Sequence, residues 1–106
     1  MNSSMLYLPE SFYAAAASDL EDKIMDRNRA YAEIPVDMDG FYSTLTISMD
    51  MIWGHLTDVD GSKTPYLKSI DSMTCDLITA REGEEVRNNF TPKVLRDYLM
   101  TYYGRY

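Results

Sequence analysis

Cysteine and histidine are almost missing from this 106-residue sequence, which has only Cys75 and His55. A lone cysteine makes no internal disulfide, and one residue of each kind cannot complete a Cys/His zinc site. Aliphatic residues are also scarce. Leu, Ile, Val and Phe together number 22, close to the level of about a fifth below which charged chains stay disordered. A core must therefore draw on the eight Met and nine Tyr. No apolar run approaches the ~18 residues of a membrane span. Residues 1–20 hold no Lys or Arg and place Pro9 and Glu10 where the apolar stretch of a signal peptide would continue, so a cytoplasmic protein is expected. Basic residues are few as well, with 10 Lys and Arg against 17 Asp and Glu, for a net charge of −7. Phosphate backbones and anionic lipid surfaces are bound by Lys and Arg, so neither nucleic acid nor membrane is the expected partner. GxSxG, P-loop, GxGxxG, HExxH and CxxC motifs are all absent, and no cofactor or metal is expected.

What is present gives a coarse fold. Phe12, Ala16, Leu20, Ile24 and Tyr31 recur at helical spacing, which predicts a first helix between Pro9 and Tyr31. Ser18 and Glu21 have capping-box spacing that would start it later, but the four alanines Ala14 to Ala17 favour one continuous helix. Its acids come early and its bases late, as the helix dipole favours. From Phe41 to Trp53, apolar residues fall on odd positions and polar ones mostly on even positions, predicting a long half-buried strand. Met73, Cys75 and Leu77 mark a second strand between Tyr66 and Ala80. Tyr66 and Ile70 are out of phase with them, which points to a bulge near Asp71. Thr91, Pro92 and the pair Phe90/Leu95 specify the start of a second helix, with Val94, Leu95, Tyr98, Leu99 and Tyr102 as its apolar stripe and Gly104 at its end. The expected class is a small single α+β domain over residues 1–106, ordered helix-strand-strand-helix around an antiparallel hairpin. Met5 to Leu8 is a candidate extra strand.

Few residues suggest chemistry. Asp37-Met38-Asp39-Gly40 and Asp58-Val59-Asp60-Gly61 match the middle of a calcium-binding EF-hand loop. Their flanks put Pro35 and Thr46, or Leu56 and Leu67, where anchoring carboxylates belong, so both read as Asx/Gly turns. Cys75 with His55 and Asp58 would be a nucleophile, base and orienting acid. The apolar phase of Cys75 argues instead for a packed thiol.

The functional signal is compositional. Asp19, Glu21, Asp22 and Asp26 crowd a short stretch, with Asp37, Asp39, Asp58, Asp60, Glu82, Glu84 and Glu85 available to extend an acidic surface toward a basic protein partner. Lys23, Arg27 and Arg29, interleaved among them, weaken it. Tyrosine and methionine favour interfaces, and the tail from Tyr98 to Tyr106 carries four tyrosines. Tyr98 and Tyr102 are expected in the core, while Tyr102, Tyr103 and Tyr106 are the candidate partner-binding tyrosines, here including a homodimer contact. The expectation is a non-catalytic protein-binding module, a small regulator or inhibitor. A small enzyme with a carboxylate-lined pocket and a structural subunit are the competing readings.

Overall fold

The computed structural model describes residues 6–38, 41–79 and 87–104. Along the chain come α1 (Glu10–Asp19), α2 (Glu21–Ile24), β1 (Arg29–Met38), β2 (Phe41–Thr57), β3 (Lys63–Thr79) and α3 (Pro92–Tyr103). The strands form one antiparallel sheet in the order β1-β2-β3. The α+β class and the antiparallel hairpin stand. The helix-strand-strand-helix order does not, because a third strand lies where the first helix was expected to continue.

The helical path ends at Ile24. Met25 turns out of helical conformation, and Asp26 takes a positive φ of 56°, a left-handed geometry that a short carboxylate side chain tolerates better than most. The chain is thereby redirected into β1, where Ala30, Ala32 and Val36 are buried while Tyr31, Glu33 and Asp37 are exposed. Upstream, the helix is nearly continuous. Leu20 sits between α1 and α2 in helical conformation, its N–H donating to the Ala16 carbonyl and its own carbonyl accepting from Ile24.

In β2, Ser43, Leu45, Ile47, Met49 and Met51 are buried, as the alternation predicts, and Trp53 is half-buried with its indole N–H on the Arg27 carbonyl at 2.8 Å. The strand is longer than expected and runs to Thr57, so the hairpin loop shrinks to Asp58–Ser62. Gly61 there has φ +88°, where a side chain would be strained. The phase shifts of β3 are real. Asp50 pairs with Ser72 but Met51 with Ile70, leaving Asp71 as an extra residue; Ile52 pairs with Ser69 but Trp53 with Leu67, leaving Lys68 as another. Each bulge moves the inward row by one position, so that Leu67, Ile70 and Leu77 all face the core.

The helices cover one face of the sheet. Leu95 and Leu99 of α3 are fully buried in a core shared with Phe12, Ala16 and Leu20. The bulged stretch of β3 receives α3 edge-on: Arg96 donates to the Ile70 carbonyl, and Gly104 bridges Leu67. A Cβ on Gly104 would lie 2.3 Å from the Met100 carbonyl oxygen, so only glycine fits this end of the helix. Thr91 precedes the helix as expected, but its side chain does not cap it; its hydroxyl donates to the Asn89 carbonyl at 3.3 Å. Leu6 to Leu8 do not form a strand of the sheet. Leu6 makes a single parallel bridge to Asn88, and the Asn89 side chain holds Leu8 by accepting from its N–H and donating to its carbonyl; Met5 lies outside the described residues. No described helix is long and apolar enough to cross a membrane.

Candidate functional site

The docking of α3 on α1 decides where the tail tyrosines go. The Tyr103 hydroxyl donates to the Ala17 carbonyl at 2.7 Å, and the Tyr98 hydroxyl donates to Glu10 Oε1 at 3.0 Å. Between them runs a ladder of rings. Phe90 stacks on Tyr13 with centroids 5.4 Å apart, Tyr13 lies nearly parallel to Tyr98 at 6.4 Å, Tyr98 meets Tyr102 edge to face at 6.0 Å, and Tyr102 meets Tyr103 at 6.2 Å. Aromatic pairs at these distances add to the burial of their area and hold one another in place.

The ladder ends among carboxylates. Burial pushes the Tyr103 hydroxyl above the usual tyrosine range, and the negative charges of Glu21, Asp19 and Asp22 act in the same direction. Tyr98 is raised too, chiefly because its hydroxyl is donated to Glu10. Asp19, Glu21 and Asp22 are exposed, and Tyr102 is 47% exposed. Five of the seven sequence-predicted site residues, Asp19, Glu21, Asp22, Tyr102 and Tyr103, thus share one helical surface. Tyr102 is the more exposed of the expected core pair, while Tyr103 is half-buried and its hydroxyl is engaged inside the fold. Asp26 stands apart, beyond α2, where its Oδ1 lies 2.9 Å from His55 Nε2. Tyr106 lies outside the described residues, as do Asp39, Glu82, Glu84 and Glu85.

The interleaved bases are partly sorted away from this surface. Lys23, Arg27 and Arg29 line a concavity beside Ala30 and Tyr31 of β1, with Asp22 at its margin. Arg29 is bound there to Asp50 at 2.9 Å, and Asp50, which also accepts from Ser72, is held below the usual carboxylate range mainly by Arg29. Glu10 and Asp97, which sequence reasoning did not single out, complete the acidic rim near Tyr98 and Tyr102. Glu10 and Tyr98 are 88 positions apart, a separation that no local pattern bridges.

The other constellations dissolve. Cys75 sits opposite Ile47, eight residues along β2 from His55, a separation of about 26 Å at ~3.3 Å per residue. Its thiol is pushed up to about 11 by burial, with Asp76 adding to the shift, so it is a poor nucleophile. Asp58 and Asp60 turn back on their own loop, both accepting from the Ser62 hydroxyl, and hydrogen bonds from the Ser62 hydroxyl and N–H hold Asp60 below the usual carboxylate range. The other Asp/Gly turn falls partly outside the described residues. On the opposite sheet face, which no described helix covers, Tyr31 is 60% and Tyr42 69% exposed beside Ser48, Thr46 and Thr44. No family model matches the chain, and comparison with curated proteins and with solved structures finds no match.

Proposed function

We propose that this chain is a non-catalytic, cytoplasmic protein-binding module, a small regulator or inhibitor that docks a basic partner through Asp19, Glu21, Asp22 and Tyr102, with Tyr103 holding α3 against α1 behind them. The observation that supports it is the junction of two features far apart in sequence: the carboxylates of α1 and α2 and the aromatic end of α3 form one surface. Dispersed negative charge speeds encounter with a positive partner, and rigid tyrosines supply contact area at little entropic cost. Affinity capture from native extract tests the reading. The triple variant Asp19→Lys, Glu21→Lys, Asp22→Lys is expected to lose a basic protein that the natural sequence retains, and added salt is expected to weaken the retained complex. An unchanged set of captured proteins overturns it.

The proposal includes a homodimer, with its contact moved from the tail to the hairpin. Tyr103 is engaged within the fold, whereas β2 continues from Met51 to Thr57 beyond its last partner on β1, the pair Arg29 and Asp50.

A further inference from the structure

Tyr98 and Tyr102 meet edge to face at 89° with centroids 6.0 Å apart, and both rings border one corner of the α3 surface. The hollow beside them is lined by Glu10, Val94, Asp97 and Thr101. Asp97 is already paired with Lys93 at 3.0 Å. Glu10 is different, because among the described residues it has no ion-pair partner, and its contact is the hydroxyl that Tyr98 donates. A phenol that donates to a carboxylate has a more electron-rich ring, and its face attracts a cation more strongly. Two aromatic side chains that both line the hollow, beside a carboxylate with no ion-pair partner among the described residues, form a receptor for an organic cation.

We propose that this corner is a binding pocket for one arginine side chain of a partner protein. The inference rests on the docking reading above and names the chemical group that reading would bring to α3. Arginine fits better than lysine for three reasons. A planar guanidinium lies flat on a tyrosine ring, its edge offers paired N–H donors to Glu10 while it stacks, and it gives up less hydration than an ammonium group does. Val94, which lines the same hollow, offers apolar contact to the methylene stem. Tyr102 is the residue to alter, since it is the exposed wall; Tyr98 also supports Tyr13 and so belongs to the fold.

The test is a titration of the full chain with acetyl-Gly-Arg-Gly-amide, followed by NMR of the tyrosine ring protons. The expected result is a saturable shift of the Tyr98 and Tyr102 signals, a smaller response to the lysine peptide and none to the peptide carrying citrulline, the neutral analogue of arginine. Tyr102→Leu and Glu10→Gln, checked for folding by circular dichroism, are each expected to weaken the arginine peptide by roughly two- to fivefold. An equal response to citrulline, tighter binding of lysine, no saturation, or binding that both variants leave intact would overturn the pocket. Such a failure is distinguishable from failure of the docking reading: partner capture that still depends on Asp19, Glu21 and Asp22 would stand without the pocket, and capture indifferent to them would fall whatever the peptide does.

Discussion

Cys75 and Ser43 are two inward-facing polar groups of the sheet, and they lead to opposite predictions. The Cys75 thiol is half-buried beside Ile47 and titrates only near 11. Alkylation of the native protein at pH 8 is therefore expected to be much slower than after denaturation, and equal rates would return Cys75 to the list of reactive thiols. The same shift has a sign for stability. The folded state holds the thiol proton more firmly than the unfolded chain, whose value is near 9.0. This contribution is fully present below pH 9 and is lost as pH rises from 9 toward 11, so thermal melts should show an alkaline decline that Cys75→Ala reduces. Ser43 is 3% exposed, and its hydroxyl has no hydrogen-bond partner among the described residues. Leaving a buried hydroxyl unpaired costs on the order of 1 kcal/mol or more. Ser43→Ala is expected to leave stability unchanged or raise it by up to about 1 kcal/mol in urea unfolding, and a loss of stability would mean that the hydroxyl is satisfied in solution.

Among the elements, β2 is the one whose sequence pattern was most legible, and its register sharpens what mutations should do. Ile47 is 1% exposed between Ala32 and Cys75, so Ile47→Asp buries an unpaired charge and is expected to unfold the protein. Thr46 lies on the other face, in a row with Glu33 on β1 and Asp76 on β3. Thr46→Asp lines up three carboxylates and should cost some tenths of a kcal/mol, whereas Thr46→Lys should be neutral or stabilising by about as much. Denaturant midpoints that rank the two Thr46 variants the other way would refute the register. The pattern was readable because β-branched and aromatic residues alternate over a long stretch. β1 was hidden because its inward positions include Ala30 and Ala32, which are equally at home in a helix, and because Tyr31 falls by chance on the helical spacing set by Phe12 and Ile24. What stops the helix is the backbone of Met25 and Asp26, a place without glycine or proline to announce it. The candidate surface was legible only as two lists, acids on one segment and tyrosines on another. Their contact through Tyr103 and Ala17 is a product of helix packing across 86 positions, and the role of Glu10 follows from the same packing.

At the scale of the whole molecule, the long hairpin sets the shape and leaves one part of the fold unfinished. The radius of gyration is 15.8 Å, against about 13 Å for a compact domain of this length, and the longest dimension is 62 Å. The excess is the outer part of β2 and β3, which β1 does not reach. Met51 donates its N–H to the Asn28 carbonyl on the β1 side, and in an alternating ladder Trp53, His55 and Thr57 turn their backbone groups to that same side. Asp26 and Arg27 contact the His55 and Trp53 side chains but supply no strand there. An edge of this kind recruits another strand unless charge, proline or a cover prevents it. Leu56 and the fully exposed Val59 offer apolar contact along the arm and at its tip. A second copy, related by a twofold axis near His55, would pair β2 with β2 and carry its acidic tip, Asp58 and Asp60, toward Lys23, Arg27 and Arg29 at the base of the first arm. The like charge of −7 on each chain does not prevent this, since repulsion between dispersed charges is screened over about 8 Å at physiological salt. Light scattering is expected to give a dimer mass. Thr57→Pro, which removes an edge N–H without breaking the β2–β3 ladder, should give a monomer, while Tyr102→Ser, at the exposed tyrosine of the tail, should leave the dimer intact. A monomer at the highest soluble concentration sinks the arm contact, and a dimer that survives Thr57→Pro but not Tyr102→Ser returns the interface to the tyrosine tail.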